Sequence, residues 1–95
     1  MDEIDARLAA LTARFVVQAE ELAIVIEACL VRGAWDELVM PCHSLAGRAG
    51  MFGHAAIGDA ARAVEEAVGA GASPDEIRRL AAWLLYRLRS LRQER

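Results

Sequence analysis

Ninety-five residues, 56% of them hydrophobic and 26% charged, suffice for one small domain with its own core and exclude a disordered chain. The net charge of −3, with Arg as the only cation, argues against nucleic acid as the main partner, because a phosphate-binding surface is net basic. No run approaches the ~20 apolar residues that span a bilayer, and the acidic start Met1-Asp2-Glu3 is not a signal peptide.

A composition rich in Ala and Leu and poor in Pro and aromatics predicts helices rather than sheet. The first predicted helix runs from Ile4 to Arg32. Ile4, Leu8, Leu11, Phe15, Ala19, Leu22, Ile26 and Cys29 recur at steps of three or four and are expected to point inward. Asp2 is its expected cap and Gly33 its stop. A second stripe, Val17, Ile24, Val25 and Val31, means that this helix either touches two neighbours or leaves apolar surface exposed.

The second segment runs from Ala34 to Arg48, with Trp35, Leu38, Cys42, Leu45 and Ala49 inward. Pro41 inside it predicts a kink near Glu37–Leu38. Gly47, Gly50 and Gly53 are read as loosening the chain into a connection. The third helix is expected over His54–Val68, with Ile57, Ala60, Ala61, Val64 and Val68 inward, and Gly69-Ala70-Gly71-Ala72 as a loop. The fourth has the clearest start, with Ser73 as N-cap, Pro74 at the first helical position and Glu76 two further on. Its core face is Ile77, Leu80, Leu84, Leu88 and Leu91, and Arg78, Arg79, Arg87, Arg89, Arg92 and Arg95 form a wet face. Four amphipathic helices with short connections predict an all-α, antiparallel four-helix bundle filling 1–95 as one domain. The start Met and four whole helices lead to the expectation of a free-standing protein. Cys29 and Cys42 make neither a disulfide framework nor a zinc site and read as reduced core thiols of a cytoplasmic protein.

His43 departs from a plain bundle. It follows the inward Cys42, and at about 100° per residue it faces the outer wall. Its neighbours on that wall, Val39, Ala46, Gly47 and Gly50, are mostly very small. They leave the imidazole bare enough for another protein's active site to close over it. Glycine inside a helix costs about 1 kcal/mol relative to alanine, so Gly47 calls for a reason.

The run His43-Ser44-Leu45-Ala46-Gly47 through Phe52-Gly53 resembles the signature of histidine-containing phosphotransfer (HPt) domains, H-x-L-K-G followed by an apolar residue and Gly. Gly33-Ala34-Trp35-Asp36-Glu37-Leu38 resembles that family's G-D-W-x-x-L opening of the second helix, although Ala34 stands where a capping Asp is common. The family's third-helix carboxylate or amide, 22 positions after the histidine, falls on Glu65. The similarity covers roughly Leu11 to Leu91. It implies that His43 carries a phosphoryl group between a kinase or receiver domain and another receiver, in the cytoplasm. It implies that Glu65 orients the ring, and that Val39, Ala46, Gly47 and Gly50 belong to the docking and phosphoryl environment, with Val16, Val17 and Ala23 as candidates on the first helix.

Two departures qualify the resemblance. Ala46 replaces the family's Lys, and Pro41 is atypical. Arg62, one turn before Glu65, is the candidate to replace the lost charge, and Arg48 a poorer one. His54 is read as a surface residue, Met51 and Phe52 as core cover, and Trp83 and Tyr86 as packing or partly exposed. No P-loop or kinase glycine loop is present, since Gly47 to Gly53 follow a helix rather than a strand. No kinase or ATPase activity and no cofactor are therefore expected, and Mg²⁺ would come with the receiver. The implied partners are response-regulator receivers and a sensor histidine kinase of hybrid type, with neither membrane insertion nor nucleic acid, and the protein is expected to be a monomer. The alternative is a non-catalytic HPt-like module that binds a receiver or kinase and regulates it.

Overall fold

Asp2 caps the first helix: its Oδ1 accepts from the Asp5 amide at 2.9 Å, satisfying one of the orphan donors of a helix start. The computed structural model describes residues 2–91. Within them α1 spans Glu3–Arg32, α2 Val39–Met51, α3 Ala55–Gly69 and α4 Pro74–Ser90. No strand occurs among the described residues, and no helix among them is long and apolar enough to cross a membrane.

The α1 helix departs from expectation at its N-terminal end. Ile4, Leu8 and Leu11 are exposed rather than inward, and the first buried side chain is Phe15. The reason is length. α1 has 30 residues, whereas α2, α3 and α4 have 13, 15 and 17. At 1.5 Å per residue, α1 is about 45 Å long and sets the 49 Å long axis of a molecule 20 Å and 18 Å across. The apolar periodicity continues past the point where neighbouring helices stop. Val17, Ile24, Val25 and Val31 are exposed as well.

The second segment divides in two. Trp35–Leu38 forms a 3₁₀ turn, and α2 starts at Val39. Pro41 thus lies in the first turn of α2, where the N–H it lacks would have no partner, and the carbonyl its ring would crowd belongs to the 3₁₀ turn. The expected kink inside one helix is therefore corrected to a boundary between a 3₁₀ turn and α2. Arg32 at the end of α1 forks onto Glu37 at 3.1 and 3.2 Å. Those hydrogen bonds hold the Glu37 carboxyl below the usual range and tie the turn to α1. Gly47 and Gly50 are helical, and α2 runs beyond Arg48 to Met51. The chain turns only at Gly53, whose φ of +80° is costly for a side chain with a Cβ. There the His54 amide reaches back to the Ala49 carbonyl at 2.8 Å, a Schellman closure.

At α4, Ser73 Oγ accepts from the Glu76 amide at 3.2 Å, and Pro74 opens the helix. Ile77, Ala81, Leu84, Leu85 and Leu88 are buried, with Leu80 half-buried. The arginine face is only partly a solvated one. The Arg78 guanidinium covers the half-buried Trp35 ring at 4.8 Å, and Arg89 pairs with Glu27 on α1. Arg92 and Arg95 lie outside the described residues. The expectation of Met51 as core cover is corrected: it is exposed, while Phe52 is half-buried and stacks on Phe15 at 5.3 Å. His54 is not a free surface residue either, because it is half-buried and its ring also stacks on Phe15, 5.3 Å between centroids and 10° from parallel.

Both cysteines are buried and free. Burial pushes the Cys42 thiol up to about 12. Two results are expected. Ellman's reagent at pH 8 leaves Cys42 unreacted until denaturant is added. In addition, because the folded chain holds this proton more tightly than the unfolded one, stability falls as pH rises above the ordinary thiol value of 9.0 toward about 12. A urea midpoint flat from pH 9 to 11, or one unaffected by Cys42→Ala over that range, would contradict this.

Candidate functional site

The site lies on the α2–α3 wall. Cys42 and Leu45, both fully buried, anchor α2 and turn the intervening His43 outward. On α3 the buried Ala61 and Val64 do the same for Glu65. The two helices approach closely at Gly58: a Cβ built there would stand 3.3 Å from the Ala46 carbonyl oxygen and 3.6 Å from the Ala49 Cβ. That approach brings the His43 Nδ1 to 2.8 Å from Glu65 Oε2.

A carboxylate offers only acceptors, so the hydrogen on this contact belongs to Nδ1. In the neutral ring, Nε2 then carries the free lone pair. The His43 side chain is 70% exposed, whereas Glu65 is 27% exposed. The orienting group is held in the wall, and the ring stands off it. Gly47 and Gly50 have nothing within 4 Å of a built Cβ, so that stretch of the wall is open to approach.

The predicted site residues fall into two groups. His43, Gly47 and Gly50 are exposed on α2, Glu65 meets the ring from α3, and Val39 is half-buried one turn before His43. Ala46 is not on the open wall. It is buried, in the seam against Gly58, because α3 lies closer to α2 there than a helical wheel can show. Arg62 does not extend toward the ring contact. Its Nη1 is 3.4 Å from Asp59 Oδ1 on its own helix. Arg48 turns toward α1, where Nη1 donates to Gln18 Oε1 at 2.6 Å. Of the candidates on α1, Val16 and Ala23 are buried and only Val17 is exposed.

Sequence reasoning missed Gly58 and Met40. Gly58 sits seven residues before Glu65, on the same helical stripe, and that spacing was the available signal. Met40, one turn before His43, is exposed. Two clefts, one lined by Glu20, Ile24 and Leu88 and the other by His54, Arg87 and Ser90, do not include His43.

Gly47 permits a test that separates cover from fold. Gly47→Leu is expected to leave the urea midpoint unchanged or raised, since Gly-to-helix-former changes gain about 0.5–1 kcal/mol and the space is open. In the same variant the phosphotransfer implied by the resemblance is expected to slow about tenfold or more, through shielding of Nε2. Unchanged transfer in a folded variant would show that this face is not the approach route.

No curated protein and no solved structure matches the chain significantly. The family model of the Hpt domain matches residues 10–94, which takes in all of α2, α3 and α4 and most of α1. With a helical bundle, an exposed histidine on its wall and a carboxylate seated on that histidine, this chain belongs to the Hpt domain family, whose members carry out histidine phosphotransfer in phosphorelays.

Proposed function

We propose that this protein is a phosphoryl carrier of a two-component phosphorelay, loaded on His43 Nε2 by a receiver's aspartyl phosphate or by a sensor kinase of hybrid type, and unloaded to another receiver's aspartate. Its four helices are taken to alternate in direction, as short connections require, and it works in the cytoplasm. The observation that carries the reading is the 2.8 Å contact from His43 Nδ1 to Glu65, made by a ring that is otherwise open. The Nε2 lone pair attacks phosphorus in line as the bond to the aspartyl oxygen breaks, and the aspartate leaves as carboxylate. The ring gains positive charge in that step, and Glu65, accepting from Nδ1–H, stabilises it and holds its orientation. Return transfer is the same step reversed.

Positioning and charge neutralisation account for most phosphoryl-transfer catalysis. Here the carrier supplies the oriented ring, and the receiver supplies its Asp and Mg²⁺. No ATP chemistry and no cofactor of its own are needed. Docking would use Met40, Gly47, Gly50 and Val39 around the ring, with Val17 on α1. Small, partly apolar contacts of this kind suit a transient complex.

The test is incubation with a phosphorylated receiver, followed by ³¹P NMR and peptide mapping. The expected product is a phosphoramidate on His43, labile to acid and stable to base. A phosphoryl group mapped to His54 or to a hydroxyl would overturn the assignment. Stable receiver binding with no transfer from any donor would support the regulatory module instead.

A further inference from the structure

A phosphoryl group on His43 Nε2 brings new negative charge to a wall that already holds Glu65. While a receiver is docked, its Mg²⁺ meets that charge. In the free carrier the chain must meet it alone. The neighbours of His43 on α2, Val39, Met40, Gly47 and Gly50, are uncharged. α2 and α3 hold two arginines between them, Arg48 and Arg62, and Arg48 is drawn to Gln18 on α1.

Arg62 lies four positions after Gly58 and three before Glu65, on the stripe of α3 that faces α2. Gly58 stands against Ala46 and Gly50, and Glu65 against His43. Arg62, between them, therefore falls level with the turn of α2 from His43 to Ala46. That is within about 5 Å of His43 along the helix, less than the length of an extended arginine side chain. Its guanidinium is lightly held. One contact of 3.4 Å joins Nη1 to Asp59 Oδ1, and the two side chains are 55% and 77% exposed. An exposed pair at this spacing contributes little, and the exposed Glu66 one turn on is a competitor of the same kind. A phosphoryl group carries more charge than either carboxylate, and its oxygens match the planar fork of a guanidinium.

From this we infer that Arg62 is the phosphoryl-binding residue of the free carrier: it rests on Asp59 and crosses the seam onto the phosphoryl oxygens once His43 is loaded. The inference rests on the phosphotransfer reading above and deepens it. The two charged residues of the stripe then divide the task, Glu65 on the ring at Nδ1 and Arg62 on the group at Nε2.

Loading the full chain with phosphoramidate, from which His43 Nε2 takes the phosphoryl group as ammonia leaves, tests this with no receiver present. One arginine Nε–H signal in the ¹⁵N–¹H spectrum, identified by its absence from Arg62→Gln, is expected to shift on loading. At equilibrium with a phosphorylated receiver, the share of phosphoryl group on His43 is expected to fall about two- to fivefold in Arg62→Gln, the scale of one exposed ion pair. Arg62→Lys should recover most of that loss, and Asp59→Asn should raise the share above wild type. Urea midpoints report the fold and are expected to stay unchanged, since both side chains are exposed. An Arg62 signal that stays in place in loaded protein, an Arg62→Gln protein as heavily phosphorylated as wild type, or an Arg62→Lys protein no better than Arg62→Gln would overturn the inference and leave the relay reading standing. Failure of His43 to load from either donor would overturn both.

Discussion

His43→Gln is expected to abolish phosphotransfer while leaving the fold and the receiver complex in place. Glutamine lacks the ring nitrogen whose lone pair would take the phosphoryl group. Its amide still offers a donor to Glu65, and the position is exposed, so no core packing is lost. Labelling by a phosphorylated receiver should fall to background, and the urea midpoint should stay within about 0.5 kcal/mol of wild type. Glu65→Gln provides the graded comparison. It keeps the size and an acceptor oxygen but removes the charge that balances the developing imidazolium. A loss of about 10–100-fold in transfer rate is expected, by analogy with other groups that orient a reactive histidine. Equal labelling of His43→Gln and wild type would end the relay reading. Equal rates for Glu65→Gln and wild type would reduce the 2.8 Å contact to a surface pairing.

The second large effect is expected at Gly58, in the seam between α2 and α3. A Cβ at this position already stands 3.3 Å from the Ala46 carbonyl oxygen, a backbone atom that can yield only if the helix moves. Gly58→Leu adds three more carbons to that contact. Overpacking of this kind costs about 1–3 kcal/mol, and a rigid backbone neighbour places the expectation at the upper end. Gly58→Ala is milder, since the gain of about 1 kcal/mol in helix propensity offsets a contact of a few tenths of an ångström. Urea denaturation should rank the variants Gly58→Leu well below Gly58→Ala. The functional readout follows from the geometry: if α3 is displaced from α2, Glu65 separates from His43. The NMR signature of a hydrogen-bonded Nδ1–H should then weaken in Gly58→Leu and persist in Gly58→Ala. A Gly58→Leu protein as stable as wild type would mean that the seam is looser than the helix positions imply.

The site shows which parts of such a protein are readable in one dimension. His43 and its wall neighbours were legible because the helical period fixes which residues share a face and because Cys42 and Leu45 are unmistakably inward, whereas Glu65 was singled out only by the family resemblance, 22 positions after the histidine. The helix ends were legible where a side chain makes the cap, at Asp2 and Ser73. Ala46 was misplaced although its rotation was judged correctly. Whether a position at the border of a face is covered depends on how closely the next helix approaches, and Gly58 sets that distance. Arg62 was the candidate to replace the charge lost at Ala46, but it pairs with Asp59, one turn away on its own helix. For a long exposed side chain, a local partner costs less conformational entropy than a distant one.

By itself the sequence determined four amphipathic helices, most of their inward faces, the side-chain caps that start α1 and α4 and the histidine that faces out, because each is a local property of period and backbone chemistry. Only the tertiary structure decided that Ile4, Leu8 and Leu11 lie bare, that Pro41 begins a helix instead of bending one, and that Glu65 reaches the imidazole. Those outcomes depend on where neighbouring helices end and how near they come, and neither distance is written in the spacing of residues along one chain.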